Sequence, residues 1–374
     1  MIQTASLTLL SLVCSVVLAL SGLGSPLAVA HLAFAVGIVP LIFAAMMHFV
    51  PVLTRTGEPD KRLAKLPSAV QATGLVAVAG MQGWLPYNVV YLAAAVDLVL
   101  AAILLNWIAL RARATLGTPH PGWRWYGAAL GCLMLALLAI VLIPVWPSYW
   151  QALRVFHLHL NTLGLIGLAA LGTLPVLLPT ALGMVDPEAG SWLRRRLWLV
   201  ASGALMVATG AAIAWPFAAP GTALMLVAAL GLLGQWGRRF GIWPLLRDGV
   251  AASLLVAVIG LLLTLVAGLL HGAGIVSTRP SLLAWVSGFL LPLVSGALSQ
   301  LLPVWRWPGP QTPERVLMRR KLASSGSVRA GLFLSSALAL LAGLEVLGAA
   351  LAASALALFV IAVLQAVRVS RSTR

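Results

Sequence analysis

Four of the six histidines, His31, His157, His159 and His271, fall at or near matching ends of long apolar segments. Imidazole is a neutral ligand for transition metals, including copper and heme iron, and it needs no counter-charge inside an apolar bundle. That makes the four a candidate metal cluster, with His31 and His159 the first candidates to hold a cofactor. The plainer reading of each is a ring that donates to a backbone carbonyl across a helix interface. His157 and His159 stand two residues apart, a turn of about 200° on a helix, so one of the pair points elsewhere.

Asp97 is the one acidic residue well inside an apolar segment, where a lone carboxylate is costly unless paired, protonated or facing water. Its candidate roles are to orient a ligand histidine through the ring N–H or to carry a proton; the plainer reading is a neutral, hydrogen-bonded Asp near the interface. Asn161 is a candidate for a polar bond between helices beside the histidines. His271 either reaches the same outer cavity or sits in water at the interface. His48 lies 17 residues beyond His31, about 25 Å along a helix, so the two cannot share a metal. His120, in a Thr-Pro-His-Pro-Gly loop, is expected to be solvated.

The segments that carry these residues are membrane spans. The chain is 61% hydrophobic and 9% charged with a mean hydropathy of +1.03, too little polar surface to cover a water-soluble globule of 374 residues. Counting stretches of about 20 apolar residues between Gly, Pro and charged breaks gives twelve spans. They run 5–23, 27–53, 67–85, 88–110, 126–146, 152–181, 197–217, 221–237, 249–270, 279–304, 328–345 and 347–368. Loops alternate between short ones and longer basic ones. With both termini cytoplasmic, every one of the 24 basic residues except Arg154 and Arg279 lies on the inner side, as the positive-inside rule requires. That accounts for the +16 net charge and removes the need for a nucleic-acid partner. The first span lacks the basic start of a secretory signal and is kept as a helix. Cys14 and Cys132 lie mid-span with no metal-type spacing, and fourteen tryptophans cluster at span ends as an interfacial belt.

Three of the spans are copies of one another. His31, His159 and Leu283 each begin a segment that reaches a proline twenty positions later, at Pro51, Pro179 and Pro303. Gly164 matches Gly288 and Gly172 matches Gly296, with Ala44 at the second position in the first copy. These are spans two, six and ten, so the chain divides into three four-helix arcs, 1–123, 124–247 and 248–374, within a single integral membrane domain. The expected fold class is an all-α polytopic membrane protein of about twelve transmembrane helices arranged as three pseudo-repeated four-helix arcs.

Twelve helices in three arcs, with histidines near the outer ends of the second and sixth, resemble subunit I of the heme-copper oxidases and non-oxidase relatives such as the NnrS family. The segments most alike are span two, with His31, Pro40 and Pro51-Val52-Leu53, and span six, with Phe156, His157, Leu158, His159, Leu160 and Asn161. The resemblance implies heme, copper or both as cofactors, a bacterial inner-membrane location, and a role in metal or heme handling or in a response to nitric oxide. It leaves open a redox or metal-delivery partner protein. Oxidases of that family also use histidines on helices seven and ten, and here neither span has one: Leu283 and Trp285 stand in the tenth. An oxygen-reducing centre cannot be built, so an enzyme is not expected. The alternative is a transporter or permease for a metal ion or small solute, disfavoured because such carriers usually show two six-helix halves rather than a period of four.

Overall fold

Glycine and proline cut the apolar chain into helices. Gly22, at φ 68°, takes the left-handed conformation that closes the first helix, and Ser25 caps the next, its hydroxyl accepting from Ala28 N–H ahead of Pro26. The computed structural model describes residues 1–372; Arg374, one of the basic residues counted for topology, lies outside them.

Among the described residues, twelve helices are long and apolar enough to cross a membrane: α1 Ile2–Ala19, α2 Pro26–Thr54, α3 Leu63–Met81, α4 Val89–Arg113, α5 Gly122–Leu142, α6 Pro147–Ala181, α7 Ala189–Ile213, α8 Trp215–Phe240, α9 Gly249–Gly272, α10 Thr278–Arg306, α11 Pro313–Leu341 and α12 Glu345–Arg368. No strand occurs among the described residues. The chain is an all-α polytopic membrane protein. Cys14 and Cys132 are free thiols.

Several boundaries differ from the sequence expectation for one reason. Arg194, Arg195 and Arg196, expected in a loop, lie inside α7, and Arg315 to Lys321 form the helical start of α11, Pro313–Ala323. Arginine and lysine favour helix, and their long side chains carry the charge out of the apolar layer while the backbone stays bonded. The helix of α11 then breaks at Ser324 and Ser325 before Gly326–Leu341.

The chain forms two compact units. Unit one comprises Met1–Gly172 and Leu193–Phe217; unit two comprises Thr173–Trp192 and the chain from Ala218 onward. Within the first, α1 to α5 pack each on its successor. Within the second, α9 packs on α8, α10 and α11, and α11 packs on α10 and α12.

The three repeated helices share a feature that the sequence period did not disclose. Each widens into a π-helical segment just after the repeat's first residues: Leu32–Ile38 in α2, Leu160–Gly167 in α6 and Val286–Leu290 in α10. In α2 and α10 the cause is visible. Pro40 and Pro292 occupy the same repeat position, and neither has an N–H for the carbonyl four residues back, Val36 or Gly288. The ladder slips by one residue, so that Val39 N–H donates to Phe34 and Leu291 N–H to Val286. Inside a membrane the loosened carbonyls need partners. Gln71 on α3 donates to Val36 O at 3.2 Å, and the Thr8 hydroxyl on α1 donates to Gly37 O at 2.8 Å. In α10, Gly260 on α9 lies directly against the Gly288 carbonyl, and a Cβ there would come within 1.9 Å of that oxygen.

Candidate metal centre

His31 occupies the last residue of α2 before its π segment, and His159 the same place in α6. Local widening at this point turns the residues that follow away from the ordinary helical register, and such bulges recur at functional sites. In the third copy the residue just before the π segment is Trp285, and Leu283 stands at the repeat position of the two histidines. Two residues on, Trp285 packs edge-on against Phe289 with centroids 5.5 Å apart, so aromatic packing fills that stretch of α10.

All four candidate histidines present Nδ1 to a backbone carbonyl. His31 Nδ1 lies 2.8 Å from Leu27 O and His159 Nδ1 2.9 Å from Val155 O, each one turn back on its own helix. His157 Nδ1 reaches across to Ala136 O on α5 at 3.0 Å. His271, in the second unit, lies 3.0 Å from Val276 O, with Thr278 Oγ1 at 3.5 Å from its Nε2. A carbonyl can only accept, so Nδ1 carries the proton and the lone pair of the neutral ring sits on Nε2. This is the arrangement in which an imidazole is oriented for a metal by the bond at its other nitrogen. The bland sequence reading, a ring bonded to a carbonyl across an interface, thus holds for His157 and is compatible with a ligand role.

His31 and His157 face one another. Their ring centroids are 6.4 Å apart and the planes differ by 11°. Repeat equivalence singled out His159 as the counterpart of His31; the ring stacked with His31 belongs to His157. Both are half-buried. Asn161, one turn beyond His157, donates its side-chain amide to the His157 carbonyl at 2.8 Å and lies 3.3 and 3.4 Å from the two ring nitrogens. It supports His157 from within α6. Gly164, on the next turn, leaves room for Cys132 of α5: a Cβ at Gly164 would come within 2.6 Å of the Cys132 Cβ. This close crossing brings α5 near enough for Ala136 to hold the His157 ring.

The other candidates have other partners. Asp97 on α4 is bonded to the Thr73 hydroxyl on α3. His48 meets Phe49 edge-on at 5.2 Å. His120 is half-buried rather than solvated: its backbone N–H donates to Leu53 O at 2.9 Å, and its ring Nδ1 accepts from Gly122 N–H at 3.3 Å. Burial, and then the charge of Arg194, hold that imidazole below its ordinary range.

Among the described residues, no three His, Cys, Asp or Glu side chains gather closely enough to hold a metal ion. Any metal here would take two imidazoles from the protein and the rest of its coordination elsewhere. A porphyrin supplies four nitrogens to iron, and Cu(I) accepts few ligands, so heme and copper both fit two neutral imidazoles. Compared with known protein families and with curated protein sequences, the chain matches none of them.

Proposed function

We propose that this chain is a heme- or copper-binding membrane protein of oxidase-like layout, in which His31 and His157 hold the metal, and that it does not reduce oxygen. The observation that carries the reading is the parallel His31–His157 pair at 6.4 Å, with both Nδ1 atoms committed to carbonyls. Leu27 and Ala136 fix the two rings, and Asn161 fixes the backbone of His157. Bound there, heme iron or copper would supply reversible one-electron chemistry. The absence of any histidine from α7 and α10 argues against the second metal centre that oxygen reduction demands. The role left is metal or heme handling, or a response to nitric oxide. The basic-residue asymmetry supports a bacterial inner-membrane location with both termini cytoplasmic.

The test is an oxidised and reduced optical spectrum of protein purified in mild detergent, with iron and copper determined on the same sample. A Soret band with iron, or copper without one, in the wild type, lost in both His31→Ala and His157→Ala, is expected. Metal and heme content unchanged in those variants would overturn the assignment. A wild-type protein with neither metal would favour a transporter of a metal ion or small solute.

A further inference from the structure

Asp97 lies eight residues into α4 from Val89, about 12 Å along the helix axis and so well within an apolar layer about 30 Å thick. Only 28% of the apolar window of α4 is buried within the molecule. Leu92 (65% exposed) and Val99 (58%) lie about 140° and 160° round the helix from Asp97, on the outward face, whereas Ala93, Ala94, Ala101 and Leu104, on the face of Asp97, are buried and Asp97 itself is half-buried. A carboxyl here lies at the contact of α3 and α4, turned away from the outward face.

No cation compensates it. The ion pairs among the described residues are Arg239–Asp186, Arg279–Glu345 and Arg319–Asp248. The helices packed on α4 are α2, α3 and α5. Their titratable and charged groups are His31 and His48, then Lys65, then Arg124, Tyr126 and Cys132; α4 itself adds Tyr91, Arg111 and Arg113. None of these is bonded to Asp97, whose partner is the Thr73 hydroxyl.

Proton counting decides what that contact is. Thr73 Oγ1 lies 2.9 Å from Val70 O and 3.3 Å from Ala69 O, the back-bonds a threonine makes inside a helix, and it is also bonded to Asp97 Oδ1. A hydroxyl has one proton. If that proton stays on the helix carbonyl, the contact with Asp97 needs a proton from the carboxyl, with Thr73 Oγ1 as acceptor. The alternative, an ionised carboxylate within the apolar layer held by one shared hydroxyl, carries the full cost of an unpaired charge.

We propose that Asp97 is a proton-binding site inside the membrane, a neutral carboxylic acid that donates to Thr73 Oγ1 at the contact of α3 and α4. A carboxyl that can hold a proton at this depth is the element that a proton relay requires. The site is independent of the histidine pair, and either assignment can fail alone.

Two measurements on the full-length protein in lipid vesicles near neutral pH test it. The first is the infrared difference between wild type and Asp97→Asn, read for the carbonyl stretch of an un-ionised carboxylic acid. The second is labelling by an apolar carbodiimide, in which the acid O–H adds across a C=N bond, its proton going to nitrogen and its oxygen to the central carbon. The expected result is an acid band present in wild type and lost in Asp97→Asn, with a carbodiimide adduct mapped to Asp97 that weakens as pH rises. Asp97→Asn keeps a donor for Thr73 without charge and should fold. A carboxylate band in place of the acid band, with no adduct at Asp97, would overturn the proposal.

Discussion

Gln71 on α3 donates its side-chain amide to the carbonyl of Val36 on α2, the oxygen that Pro40 leaves without an α-helical N–H. Gln71 is 5% exposed, so no water stands ready to replace it. Gln71→Leu should leave that carbonyl unpaired in an apolar setting, at a cost of about 1–3 kcal/mol. Thermal unfolding in detergent should show a lower midpoint for Gln71→Leu and a smaller drop for Gln71→Glu at low pH, where the acid can still donate.

The second prediction concerns the matching bulge in α10. Gly260→Ala would drive a methyl to within 1.9 Å of Gly288 O and 2.9 Å of Phe289 N, both backbone atoms that cannot rotate away. Separation of α9 from α10 should cost about 1–3 kcal/mol or more. Gly131→Ala on α5 meets nothing within 4 Å and should leave the unfolding midpoint unchanged or raise it. Equal losses in both variants would show that the close crossing does not matter.

Asn161 holds the backbone of His157 at 2.8 Å and should act on the metal only through that histidine. Asn161→Leu is expected to weaken retention of the bound metal or heme by about 10–100-fold, the usual effect of removing a group that orients a ligand. Titration with a competing chelator or with apomyoglobin reads this directly. His159→Ala, which leaves the stacked pair intact, provides the comparison, and a larger loss there than in Asn161→Leu would assign the site to the wrong histidine.

A pH response is expected in the loop that joins α4 to α5. His120 Nδ1 accepts from Gly122 N–H, so the ring must be neutral to make that bond, and burial holds it below the ordinary imidazole range. A histidine lowered in the folded state contributes fully above the unfolded value of about 6.5 and loses that contribution as pH falls below it. Amide exchange at His120 and Gly122, corrected for intrinsic rates, should rise as the solution is acidified through that range. His120→Asn keeps an acceptor and should abolish the pH step.

Composition and loop asymmetry alone determined that this is a twelve-helix membrane protein, because no soluble fold can hide so much apolar surface and because charge is expelled from an apolar layer. The threefold repeat was legible too, since Pro51, Pro179 and Pro303 keep one register with His31, His159 and Leu283. Pro40 and Pro292 were visible at matching positions, but the slip of the ladder that they cause was not, because a missing N–H can be answered by a kink, a bulge or a break. Tertiary structure decided that Gln71 donates to the Val36 carbonyl and Thr8 to the Gly37 carbonyl, and that Gly260 lies against the Gly288 carbonyl. It also decided that His31 stacks with His157 and that Asp97 meets Thr73. Repeat equivalence fixes the depth of a residue along its helix, whereas the direction of its side chain depends on helix rotation. That rotation is set by how α5 crosses α6 at Gly164 and how the π segments widen, contacts between residues far apart in the chain.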